Sequence, residues 1–157
     1  MEPWKIELSR VDWSAYECAC GERGHLGGDL QRIIEARSLG EWGGASLDGH
    51  VEDQSMVADV AVPAVGVMMA ALQEDLAVPT RSEFMINLWR LVDGEADESV
   101  TEEIHEQIRD GIWLIYREAT NGDTETAMEI LECVERDPAR LEHFRTAVAR
   151  RLSKRTR

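Results

Sequence analysis

Apolar side chains recur every three or four residues along most of the chain after Gly28, the period that brings one face of a helix to a core. "DLQRIIEARSL" sets Leu30, Ile33, Ile34 and Arg37 at that spacing, and Gly27-Gly28-Asp29 before it supplies a flexible turn and an N-cap. Pro63 is suited to the first position of another helix, where its missing N–H would have no partner anyway. The continuation "PAVGVMMAALQ" is almost wholly apolar and belongs at the centre. In "TRSEFMINLWRLV", Thr80 and Glu83 have the spacing of a capping box; Phe84, Leu88 and Leu91 form a stripe that Met85, Ile86 and Trp89 widen. The cleanest helix is "VTEEIHEQIRDGIWLIYREAT", with Ile104, Ile108, Ile112, Ile115 and Ala119 on one face and Ser99 with Glu102 as a second capping box. Asn121-Gly122 is a left-handed stop, and Asp123 caps "TETAMEILECVER" with Ala127, Ile130, Leu131 and Val134 inward. Asp137-Pro138 opens a last helix through Leu141, Phe144, Val148 and Leu152.

Between these segments the period weakens. "EWGGASLDGHVEDQSMVADVAV" predicts two short helices broken between Gly49 and Asp53, because each interior glycine costs about 1 kcal/mol. "DGEADES" is a polar linker, expected at the surface, and no strand is expected anywhere. Modest helices joined by short connections pack as antiparallel hairpins, so the expected fold is all-α, a short α-solenoid or a compact bundle. One helical domain is expected over residues 1–152, with a frayed basic tail over 153–157.

Composition agrees with one globular domain: 157 residues, 43% hydrophobic and 31% charged. The opening "MEPWKIELSRVDW" has no apolar run of signal-peptide length, and three cysteines suit a reducing compartment, so a cytoplasmic protein is expected. Only Lys5 and Lys154 among the 17 basic residues are lysine, a bias of GC-rich bacterial genomes. The formal charge of −14 is uneven: residues 1–139 carry 10 basic and 30 acidic side chains, and from Arg140 onward seven basic residues face Glu142 alone. An acidic body repels nucleic acid and anionic membrane and attracts a basic protein. Arg140 and Arg145 are expected to dock against that body.

Candidate chemistry is sparse. "ECACGERGH" brings Cys18 and Cys20 near His25, and a tetrahedral metal site would need His50 or a carboxylate besides. Cys-Ala-Cys is tighter than the usual zinc knuckle and lacks the Cys-X-X-Cys redox spacing, so both cysteines are expected as small hydrophobes at a helix end stopped by Gly21, with no metal and no cofactor. His105 and Arg109 are expected on an exposed face among Glu102, Glu106 and Asp110. No phosphate-binding glycine loop, Gly-X-Ser-X-Gly or His-Glu-X-X-His occurs, and catalysis is not expected.

The series "DWSAYECACG", "DLQRII", "GASLDGH", Gln54, "VADVAVPAV" and Arg81 ahead of "LWRLV", followed by "IRDGIWLIYREATNGD", resembles small HEAT-repeat-like helical proteins of actinobacteria. The resemblance spans roughly residues 11–135. Cys20 stands where that family places an aromatic before the glycine, and His50 and Gln54 are separated where it has histidine and glutamine adjacent. It implies a stacked-helix fold and a habit of binding other proteins, and brings no catalytic residues.

The acidic run Asp93, Glu95, Asp97, Glu98, Glu102, Glu103, Glu106 and Asp110 is therefore the candidate partner-binding site, with Trp89 and Trp113 as candidate anchors. The expected function is non-catalytic binding of a basic protein, as in an immunity or antitoxin-type inhibitor. The alternatives are an adaptor or scaffold subunit holding a peptide, and a metal protein or enzyme built on Cys18, Cys20 and His25.

Overall fold

The computed structural model describes residues 1–155, the last through its backbone alone. Among them the helices run α1 (Pro3–Arg10), α2 (Leu26–Glu35), α3 (Ala61–Ala71), α4 (Val78–Val92), α5 (Glu98–Asp110), α6 (Ile112–Asn121), α7 (Thr124–Val134) and α8 (Pro138–Arg155). Single 3-10 turns lie at Trp13–Ala15 and Leu39–Trp42, and the strands β1 (Glu52–Asp53) and β2 (Met56–Val57) form a minimal antiparallel hairpin. The fold is all-α, as the periodicity requires. No helix among the described residues is long and apolar enough to cross a membrane.

The most apolar segment becomes the middle of the bundle. α3 is apolar on all sides, and Ala61, Ala64, Val65, Val67 and Met68 are sealed from solvent because α1 and α5 flank it and α2 and α4 touch it. Trp4, 2% exposed, is the side chain by which α1 is sunk into the core. α4 packs on α7, which lies beside α6. The stripes Phe84–Leu88–Leu91, Ile104–Ile108–Ile112–Ile115–Ala119 and Ala127–Ile130–Leu131–Val134 are all buried. A partly buried ion pair, Arg81 to Glu118 at 2.6 Å, ties α4 to α6, and Arg81 also donates to the Glu74 carbonyl.

Several helix ends differ from expectation. α2 starts at Leu26, so Gly27 and Gly28 lie inside the helix. At Gly27 the Trp13 ring sits so close that a Cβ would lie 2.6 Å from it, and the glycine serves packing here rather than a turn. α3 begins two residues before Pro63. Pro79 stands in the first turn of α4, so Thr80 is inside the helix, where its buried hydroxyl donates to the Ile33 carbonyl of α2 at 2.9 Å. Ser99 likewise lies within α5, which follows Asp97. The long Ile104–Ala119 helix is interrupted at Gly111, and Gly122 closes α6 at φ −125°, outside the left-handed region. The caps at Asp123 and Asp137 form as expected, accepting from the Thr126 and Arg140 N–H groups.

The segment after α2 holds one 3-10 turn, loop and hairpin in place of two helices. Gln54 and Ser55 take positive φ angles, 49° and 69°, the left-handed pair that reverses a tight hairpin. β2 continues beyond its partner: the Val57 N–H donates to the Glu95 carbonyl and the Glu95 N–H to the Ser55 carbonyl, so the acidic linker is pinned to this loop. At the other end α8 stays helical through Arg155, across the start of the expected tail; residues 156–157 lie outside the described residues. Arg140 reaches Glu135, just past the end of α7, at 2.7 Å, and Arg145 reaches Glu132 of α7 at 2.8 Å.

Candidate functional site

The eight acidic candidates are all exposed, but the fold distributes them over different surroundings. Asp93 closes α4, Glu95 belongs to the linker held by β2, and Asp97 and Glu98 stand at the start of α5, where carboxylates suit the helix dipole. Glu102 and Glu106 are spoken for: Arg109 contacts them at 3.1 and 2.5 Å, and Arg136 reaches them at 2.7 and 3.5 Å. The hydrogen bond from Arg109 holds the Glu102 carboxyl below its ordinary range. Glu103 and Glu106 border a cleft against Arg10, Asp12 and Gln107. His105 and Arg109 are not on a solvated face. His105 Nε2 donates to the Val92 carbonyl at 2.9 Å, and Arg109 Nε donates to the Val134 carbonyl, so both side chains lace α5 to its neighbours.

Tertiary packing adds a surface that linear charge did not show. Ile86 and Trp89, 37% and 39% exposed, share a helical face of α4 with Asp93. Across the α4–α7 contact, partial burial and then the charges of Asp93, Glu132 and Glu129 push the Cys133 thiol up. The carboxylates around Cys133 thus come from α7 and the end of α4, and Asp93 is the one on the Ile86–Trp89 face. Glu132 is paired with Arg145; Asp93 and Glu129 have no salt bridge among the described residues. Trp113, 61% exposed, lies elsewhere, beside Tyr116 and Phe144 and under the Arg140 guanidinium at 5.3 Å.

The second cluster is at the other side of the sequence. Cys18 and Cys20 are not at a helix end; they lie in the loop between the first 3-10 turn and α2. The Gly21 N–H donates to the Cys18 carbonyl, closing a turn in which Gly21 takes φ +84° and both sulfurs are turned to the same side as His25 and His50. His25 precedes α2, held by buried Leu26, and His50 sits between buried Leu47 and Val51 with its N–H donating to Leu47. The Ala19 N–H donates to the His50 carbonyl at 2.9 Å, joining the two loops.

As a result one atom from each of Cys18, Cys20, His25 and His50 lies within 4.8 Å of all the others. Cys18 Sγ is 3.7 Å from His25 Nε2 and 3.2 Å from His50 Nδ1; Cys20 Sγ is 3.8 Å from His25 Nε2; the two ring nitrogens are 3.1 Å apart. His25 Nδ1 is buried without a protein partner, so the ring's polar contacts are all on its Nε2 side, facing the sulfurs. Burial pushes the Cys18 thiol up to about 11, and it holds its proton at neutral pH unless a cation takes the proton's place. These four side chains are the ones able to hold a metal among the described residues.

The sequence named all four residues, but spacing along the chain argued against them. What it lacked was the distance: His50 is 32 residues from Cys18 and is brought to it by an irregular loop that no period marks. The glycine turns at Gly21 and Gly49, each beside a candidate ligand, are the local signal that was present. Fold and site together define an all-α bundle carrying a thiol–imidazole cluster in the loops that flank α2. Comparison with protein-family models, curated proteins and solved structures finds no match for the chain.

Proposed function

We propose that this chain is a non-catalytic protein-binding module, of the immunity or inhibitor type, that recognises a basic partner through the carboxylate-bordered Ile86–Trp89 face. The observation that carries this reading is the exposure of Ile86 and Trp89 together on α4, on the face that ends at Asp93. Tryptophan is among the side chains that most often anchor a binding interface: the ring supplies buried area, and charges near it steer the encounter. The net charge of −14 extends that steering over the whole molecule. Glu95, Asp97 and Glu98 extend the negative rim, whereas Glu102 and Glu106 contribute less because Arg109 and Arg136 already neutralise them. Asp93 is the carboxylate shared by the expected acidic run and this face.

The experiment is capture from a lysate of the producing cell by immobilised wild-type protein and by Trp89→Ala, at low and high salt. The reading predicts a basic protein retained in stoichiometric amount by the wild type, released by salt and lost with Trp89→Ala. Identical retention by both proteins, indifferent to salt, contradicts it.

A further inference from the structure

We infer that Cys18, Cys20, His25 and His50 form a structural zinc site that cross-links the two irregular segments of the chain. Zinc bound by sulfur at about 2.3 Å and nitrogen at about 2.0–2.1 Å sets tetrahedral edges of about 3.6 Å between sulfur and nitrogen and about 3.3 Å between nitrogens. The sulfur–nitrogen distances of 3.7, 3.2 and 3.8 Å and the nitrogen–nitrogen distance of 3.1 Å lie around those edges. Four of the six edges between donor atoms are thus within about half an ångström of what zinc requires, and the other two, from Cys20 to Cys18 and to His50, lie within 4.8 Å.

Hydrogen bonding alone accounts for the convergence poorly. The ring nitrogens face each other at 3.1 Å and cannot both carry a proton there, yet Cys18 Sγ contacts both of them and the His50 carbonyl as well, with a single thiol proton to give. A cation at the centre lets all four atoms present lone pairs to one point. Two sulfurs and two imidazoles are a borderline-soft set that suits zinc over magnesium or calcium. Two thiolates also cancel the charge of a divalent ion, so the half-buried loop receives a neutral centre.

The same geometry says what the metal does. All four corners of the tetrahedron come from the protein, which is the closed form of a structural site and leaves no position for substrate. Three ligands belong to the segment before α2 and the fourth to the segment after it; the backbone bond from Ala19 to His50 is the weak version of the same tie. Metal binding here is coupled to ordering of both loops. Cys20 is exposed, which gives the ion a way in.

The test uses full-length protein made without a polyhistidine tag, its metal content measured by elemental mass spectrometry and its apoprotein titrated with Co²⁺ as a spectroscopic probe. Cys20→Ser and Cys133→Ser are compared, since both cysteines are exposed and neither change disturbs the core. The inference predicts one zinc per chain in the wild type and in Cys133→Ser, and tetrahedral Co²⁺ spectra with thiolate charge-transfer bands. Cys20→Ser should weaken binding by about 100-fold or more, beyond the usual effect of losing an outer contact. Absence of stoichiometric metal in the wild type, octahedral Co²⁺ without thiolate bands, or equal affinity in the two variants would each overturn it. A His50→Ala variant read by the same bands guards against misfolding of Cys20→Ser: intact wild-type-like bands there overturn the site as well.

Discussion

Between Ala61 and Val134 the chain forms five helices whose buried faces interlock; between Val11 and Val60 it forms one helix, two 3-10 turns and a hairpin of two-residue strands. The first region is fixed by area. Phe84, Leu88, Ile104, Ile108, Ile115, Ile130 and Leu131 are fully buried and share one core. The second adds the α2 stripe Leu26, Leu30, Ile33 and Ile34, with Cys18, Ala45, Leu47, Val51 and Val60, to that core, but outside α2 its backbone has few regular ladders and is tied at chosen points: the Trp13 ring over Gly27, the Thr80 hydroxyl on Ile33, the Ala19 bond to His50, and the thiol–imidazole cluster. Packing makes a helix robust to the loss of any one polar contact, while a loop held at points is only as ordered as those points.

The largest expected effect is in the helical region. Phe84→Ala should destabilise the whole protein by about 3–5 kcal/mol, because the surrounding helices cannot close the cavity, and chemical denaturation should show the same loss with or without a chelator. Gly27→Ala strikes the other region. Its methyl would meet the Trp13 ring at 2.6 Å, so about 1–3 kcal/mol should be lost, with a shift in Trp13 fluorescence that Phe84→Ala does not share before unfolding.

Smaller effects sharpen the contrast. Glu135, its side chain 2% exposed, accepts from Arg140 and Tyr116, and the Arg140 hydrogen bond above all holds its carboxyl down at about 2. Its folded-state value lies below its unfolded one, so its contribution is complete above the ordinary carboxylate range and is lost as pH falls toward about 2. Glu135→Gln should cost about 1–2 kcal/mol near neutral pH, a difference that shrinks in acid denaturation profiles. Thr80→Val removes the hydroxyl that joins α4 to α2 and should cost about 1 kcal/mol, read as a lower denaturation midpoint with an unchanged slope.

The same contrast explains what the amino-acid order disclosed. Where burial follows the helical period, as at Ile104–Ala119 and Ala127–Val134, the elements and their inward faces were legible, and so were the caps at Asp123 and Asp137. Thr80 was misread because a hydroxyl three residues before a glutamate fits a cap and a buried interhelical donor equally well. Gly27 was misread because glycine before a periodic run signals a turn, and nothing local announces that Trp13 will lie on it. The residues of the thiol–imidazole cluster were visible, but their convergence depends on a loop between α2 and α3 whose path is set by tertiary contacts. The acidic run was visible as charge; that Arg109 and Arg136 neutralise part of it, and that Asp93 and two α7 carboxylates act together on Cys133, was not.

Amide hydrogen exchange of the full-length protein, read by mass spectrometry before and after a strong zinc chelator, tests most directly whether the two regions are held by different means. Protection in the loops around Cys18–His25 and Ala45–Val57 should fall by about tenfold or more on chelation, while α4 and α7 keep theirs. Loss of protection spread evenly over both regions, or no change in the loops of a protein shown to have lost its metal, would contradict the account.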